Sequence, residues 1–291
     1  MQTGKADSTS GAAGHDGLFG PGSVTWRVSA EPVMWVAGFR ALFLQALHPR
    51  VMRGTWQNTA FADPKQAWGR FVRTVDYVQT RTYGSRAEVE RAGRRVRKIH
   101  ATLRGTDPDG TQFRLDEPDL LLWVHCAEIG SYLDVAQRCG MGLTAADQDR
   151  YVDEQRRSAA VVGLDPAAAP GSVAELAAYF EAQRPGLSAT PEARRALLRS
   201  FSPNLPRQML PLKLVIPGIT TLAFATLPRW ARRLYRMPGS PLTDLTATAS
   251  LRALREGTTG KPGQRVIMPA ARAGVSALHR ARQQRNLPAA S

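Results

Sequence analysis

Three of the five histidines in this sequence stand where the surrounding pattern buries them, and a neutral imidazole is the commonest protein ligand for a metal. His48 closes an apolar run. His125 lies among Leu121, Trp123 and Val124. His100 lies beside the stripe of its own segment, four residues after Val96 and three before Leu103. A single buried histidine is ordinarily a core residue bonded to one carbonyl. Three in one small core are more than packing requires, because each carries two ring nitrogens to satisfy. Zinc fits poorly, since there is no H-E-x-x-H and no paired Cys-x-x-Cys. Non-haem iron would want two histidines and a carboxylate, for which His125 and Glu128, one helical turn apart, are candidates. The lack of C-x-x-C-H excludes covalently attached haem. A non-covalent haem needs one axial histidine, an apolar slot and cations for its propionates, and the composition supplies all three.

The cations are abundant. Lys+Arg number 39 against 24 Asp+Glu, a net charge of +15, and all but five of the basic residues are arginine, the planar fork suited to carboxylates and phosphates. Arg70, Arg73, Thr74 and Tyr77 group on one face of a helical segment, opposite Trp68 and Val75; by pattern alone that face is solvated surface. Arg91, Arg94, Arg95, Arg97 and Lys98 crowd one helix, and Arg229, Arg232, Arg233 and Arg236 another. Phosphate binding could use them, so a basic, non-enzymatic nucleic-acid-binding module is the alternative function. Against it, no helix-turn-helix, RNP-type aromatic motif or zinc finger accompanies the charge.

The elements that must position these residues read as helical nearly throughout. Two runs, Val33–Leu47 and Leu120–Ala136, are apolar almost all round and so belong at the centre of the fold, with Pro49 helping to end the first. Asp63-Pro64 opens a helix that Gly84 stops; Ser85 and Glu88 form a capping box for the next, which Gly105 ends. The one Asp-Gly pair, Asp109-Gly110, falls in a loop between helices rather than a hairpin. Thr144 and Ser172 read as N-caps, and Thr190-Pro191 and Ser240-Pro241 as cap-plus-proline starts. Pro206, Pro211, Pro217 and Pro228 cut the apolar stretch Leu205–Arg236 into several short helices, and a last helix covers Gln264–Arg285. The expectation is one all-α domain of about ten helices over residues 18–286, with tails at 1–17 and 287–291.

Cys126 and Cys139 fall in one predicted helix, roughly 20 Å apart, which excludes a disulfide between them. The first residues, MQTGKADSTSGAAGHDG, have no apolar core and no twin arginine, so they do not read as a signal peptide. Val33–Leu47 carries Arg40 at its middle and Leu214–Leu227 contains Pro217 and Gly218, so neither reads as a membrane span. A soluble, cytoplasmic protein is expected, for which weak peripheral contact with a membrane is compatible.

Six segments in order carry a resemblance: LFGPGSVTWRV, LFLQALHPRV, FADPKQAWGRFVRTVDYVQTRTYG, VRKIHATLRG, DLLLWVH and LPRWARRLYRMPGSP. Together they resemble the MpaB family of oxygenases, which includes the latex clearing protein, a rubber oxygenase; the resemblance covers about Leu18 to Pro241. It implies an all-helical domain enclosing one non-covalent haem b, with His100 matching the iron's axial ligand. The family's R-x-x-K-T motif reads R-x-x-R-T here, so Arg70 and Thr74 carry over while Arg73 stands where the family has lysine. Gln45, His48 and His125 match positions recurrent in the wider family and join the expected cofactor-binding set. The resemblance turns the polar face of Arg70 and Thr74 inward, towards the haem. It implies an oxygenase acting with O2 or peroxide on a small, largely apolar, isoprenoid-like metabolite, with a redox partner as a further expected partner.

Overall fold

The computed structural model describes residues 16–58, 64–202 and 210–259; the side chains of 64–68, 210–214 and 259 are not described. Most of the expected N-terminal tail, the Asp63 cap, Pro206, the helix expected at Gln264–Arg285 and the C-terminal tail lie outside these residues. Among the described residues the chain forms twelve α-helices, two single 3₁₀ turns and one two-stranded hairpin, an all-α domain in substance.

The two all-apolar runs form the central pair. α2 (Met34–Gln45) packs along α6 (Pro118–Arg138) in the most extensive helix–helix contact of the fold. Val36, Leu44 and Leu47 meet Trp123, Ala127 and Ile129 in one continuous core, all essentially without solvent contact. The arginine at the middle of α2 is accounted for. Arg40 is buried, donates to Ser131 Oγ (2.8 Å) and to the Thr226 carbonyl (3.2 Å), and pairs with Asp134 (3.4 Å), so its charge is satisfied inside the core.

Around this pair stand the other helices. α1 (Val24–Ser29) starts at Ser23 and is held by buried Glu154 of α7 (Ala145–Val162), whose carboxylate accepts from the Val24 and Thr25 amides at 3.2 and 2.8 Å. A carboxylate at a helix N-terminus is favourably placed against the free amides and the helix dipole. α4 (Pro64–Tyr83) packs on α1 and on α5 (Arg86–Thr102), and α5 packs on α7. α8 (Val173–Gln183) leans on α7, while α9 (Pro191–Phe201), α10 (Leu210–Ala225), α11 (Arg229–Leu234) and α12 (Pro241–Thr259) complete the side next to α2. The Ser85–Glu88 capping box is present, and Thr144, Ser172 and Thr190 each accept from the backbone of the third helical residue.

Five expectations about elements need correction. Pro49 does not merely stop a helix: it begins α3 (Pro49–Asn58), where its missing N–H has no intrahelical partner to lose. Asp109-Gly110 does sit in a hairpin, between β1 (Arg104–Thr106) and β2 (Gln112–Arg114), with Gly105 opposite Phe113. Gly105 therefore does not end α5, which stops at Thr102; a Cβ at Gly105 would lie 2.2 Å from the Phe113 ring, so glycine serves a close approach. The proline-rich stretch is divided at Pro228, which precedes the six-residue α11, but not at Pro217. α10 runs through Pro217 unbroken, and Pro211 occupies its first turn, where no N–H is required. Cys139 caps α6 instead of lying within it; both cysteines are buried and free.

Candidate functional site

α4 and α5 bring Arg70 near His100, with Arg73 next to Arg70, while Gln45, His48 and His125 stand apart on α2, the turn after it, and α6. Phe71 fixes α4 against α2, its ring 5.5 Å from Phe39 and 6.4 Å from Trp35. The polar positions of α4 then follow at helical spacing, Arg70, Thr74, Tyr77 and Arg81, with Arg73 beside them. Arg70 and Tyr77 are half-buried, Arg73 and Thr74 exposed, and the Thr74 hydroxyl donates to the Arg70 carbonyl at 3.1 Å.

His100 sits in the last turn of α5, half-buried, and its Nδ1 is enclosed with no hydrogen-bond partner. Burial holds its pKa below the usual histidine value; the nearby Arg70 guanidinium pushes the same way and Asp116 opposes them. The ring is thus neutral at pH 7 and keeps a lone pair. Arg70 is also pushed down, by burial first and by the charge of Arg73 second. Asp116 gives most of its charge to Arg114, which donates to both of its oxygens at 2.7 and 2.5 Å. The α4–α5 face accordingly carries a neutral imidazole near the Arg70 guanidinium, which in turn lies near Arg73.

A second group lies further along α4. Arg81 is buried and donates through both terminal nitrogens to Glu128 of α6, at 2.5 and 3.3 Å. Burial disfavours both charges, but each holds the other ionised: the Arg81 pKa is raised and that of Glu128 lowered. His125 lies beside this pair with Nε2 buried and unpartnered; burial pushes its pKa down to about 4. The Tyr77 hydroxyl is likewise buried, close to Arg81, whose guanidinium stands 5.7 Å from the Tyr77 ring centre. Glu128 is committed to Arg81, which removes it from the non-haem iron pairing considered with His125. Among the described residues no three His, Cys, Asp or Glu side chains cluster to hold a bare metal ion.

Gln45 and His48 form a third group, at the seam between α2 and α6. Gln45 donates to the Val124 carbonyl (3.0 Å), and the Trp123 indole donates to the Gln45 carbonyl (3.1 Å). His48 Nδ1 accepts from the Val51 amide at 3.4 Å, and its ring centre is 6.2 Å from that of Trp123. Both residues are engaged in joining the two central helices. Arg81 is the residue that sequence reasoning passed over, although the spacing 70, 74, 77, 81 would have found it. Its partner, 47 positions along the chain, left no local signal. A cavity of about 530 Å³ among α9–α12, bounded by Phe201, Phe224, Arg232, Met237 and Thr243, contains none of the expected site residues.

The described residues thus form an all-helical domain in which a neutral, incompletely bonded imidazole lies near Arg70, with no cluster of side chains that could hold a bare metal ion. The family model described as "ER-bound oxygenase mpaB/B'/Rubber oxygenase, catalytic domain" matches residues 26–257. The chain belongs to that family of oxygenase catalytic domains. Comparison with curated proteins and with solved structures gave no match. No helix among the described residues is long and apolar enough to cross a membrane.

Proposed function

We propose that this protein is a haem b-dependent oxygenase acting with O2, or with peroxide, on a small and largely apolar metabolite. One observation carries the haem assignment: the enclosed, unpartnered Nδ1 of a neutral His100 next to Arg70. A buried ring nitrogen without a partner is costly unless something else completes its environment. The donor set fits haem better than a bare ion, because it offers one imidazole for iron and guanidinium groups for propionate carboxylates.

His100 would hold the iron, with α5 fixing the ring's direction. Arg70, half-buried near His100, is the cation suited to a propionate. Arg73 and Thr74, exposed on α4, would supply donors to the co-substrate or to a polar group of the substrate. Bound there, haem supplies the iron at which dioxygen is activated; the chain's own share is ligation, orientation and burial. His48, Gln45 and His125 contribute to the walls rather than to the iron.

Expression with haem supply tests the proposal. The purified protein should show a Soret band and take up CO when reduced. A colourless protein that takes up no haem and binds duplex DNA with a steep salt dependence would replace this reading with that of a basic binding module.

A further inference from the structure

We propose that the outward face of α5 is the docking surface for an acidic one-electron carrier protein. The proposal rests on the haem reading of His100, to which it adds the route by which the iron is reduced.

Arg91, Arg95 and Lys98 stand at i, i+4 and i+7 on α5, with Arg94 between them, and all four are exposed. The spacing makes one continuous stripe. Glu88, Glu90 and Arg97, also on this helix, are engaged, while Arg86 in its first turn is exposed. Glu88 closes the capping box, Glu90 pairs with Arg94 at 3.2 Å, and Arg97 donates to the Val161 carbonyl of α7 at 2.6 Å. Among the described residues no carboxylate forms an ion pair with Arg91, Arg95 or Lys98. Ile99, 44% exposed and four residues after Arg95, adds an apolar contact at the edge of the stripe.

The opposite side of the helix is fixed inward. Val89 and Gly93 are buried, and a Cβ at Gly93 would fall 2.8 Å from a Val161 methyl, so α5 lies close against α7. At 100° per residue, Lys98 and His100 point roughly 200° apart. A partner on the stripe would therefore be separated from the imidazole by about one helix thickness, roughly 10–12 Å. Reduction at that distance needs no bond made or broken: one electron leaves the reduced carrier and one ferric iron becomes ferrous.

The stripe spans about two helical turns, a footprint that favours a small acidic patch over a nucleic acid. On α11, the other arginine-rich helix, Arg229 and Arg232 both bond Asp244 at 2.7 Å, and Arg232 is 1% exposed. The stripe also has no aromatic ring on which a base could stack. An acidic carrier would be steered by this field, with an on-rate that falls as salt rises.

The test uses a reduced plant-type [2Fe–2S] ferredoxin as probe and the variant Arg91→Glu/Arg95→Glu/Lys98→Glu. Calorimetry measures ferredoxin binding. Anaerobic stopped-flow under CO measures reduction of the haem-loaded protein. The expected results are a binding constant and a reduction rate at least about tenfold lower in the variant, and a similar fall for the wild type when salt rises from about 0.05 to 0.3 M. Reduction by dithionite and the Soret band should not change. Equal rates in wild type and variant, or no ferredoxin binding at low salt, would overturn the surface assignment while the haem reading stands. Stripe-dependent ferredoxin binding by a protein that takes up no haem would do the reverse. A mixed-sequence DNA duplex binding the stripe more tightly than ferredoxin would assign the surface to nucleic acid instead.

Discussion

At the residue scale, burial sets the protonation of every histidine near the centre of the fold. It is the first cause lowering the pKa of His48, His100 and His125, and it takes His125 to about 4. In the unfolded chain a histidine titrates near 6.5. Between pH 6.5 and 4 the unfolded state therefore binds a proton that native His125 refuses, and stability falls as pH falls through that window. The slope from this one residue approaches about 1.4 kcal/mol per pH unit. Urea midpoints of the haem-free protein at pH 7, 6 and 5 should drop more steeply for wild type than for His125→Gln; parallel curves would show that His125 is not buried neutral. Position 73 gives a second prediction. Arginine stays protonated and has no lone pair to offer, so Arg73 cannot ligate iron, whereas a lysine amine can once its pKa falls. Arg73→Lys in the haem-loaded protein should turn low-spin as pH is raised, and the wild type should bind azide without displacing a protein ligand. A wild-type resting spectrum already low-spin with two nitrogen ligands, unchanged in Arg73→Ala, would contradict this.

At the element scale, the β-hairpin that follows α5 is closed by one tight contact between its own strands, Gly105 against the Phe113 ring. Gly105→Ala would press a methyl group into the Phe113 ring and should destabilise the protein by about 1–3 kcal/mol, the usual range for overpacking. Combining it with Phe113→Leu should recover part of the loss in a denaturant titration; additive losses would show that the ring is not the obstacle. This hairpin also marks a limit of what the sequence makes readable. Its strands are three residues long, too short for alternation to register. The capping box at Ser85, the caps at Thr144, Ser172 and Thr190, and the two all-apolar helices were legible because each depends on residues three or four positions apart. Pro49 and Pro217 were misread because proline either begins a helix or interrupts one, and local pattern does not choose between them. The candidate site divides by what carries its signal. Arg70, Arg73 and Thr74 were found through a motif and His100 through a segment, but the Arg81–Glu128 pair depends on how α4 meets α6.

At the scale of the whole molecule, a ligand that binds only the folded chain raises its stability by mass action, about 2.7 kcal/mol at a hundredfold excess over its dissociation constant. Haem should accordingly raise the melting temperature of the wild type and leave that of His100→Ala nearly unchanged. His48→Ala and His125→Gln, whose side chains belong to the α2–α6 seam and the Arg81 group, should keep the haem-dependent rise. A rise in His100→Ala as large as in wild type would place the ligand elsewhere. The most direct test of the central claim replaces the imidazole itself. Haem titrations followed at the Soret band should show tight uptake by wild type, loss of retention in His100→Gly, and recovery when free imidazole is added to His100→Gly. Retention by His100→Gly as tight as wild type, or a wild-type chain that takes up no haem at all, would contradict the account.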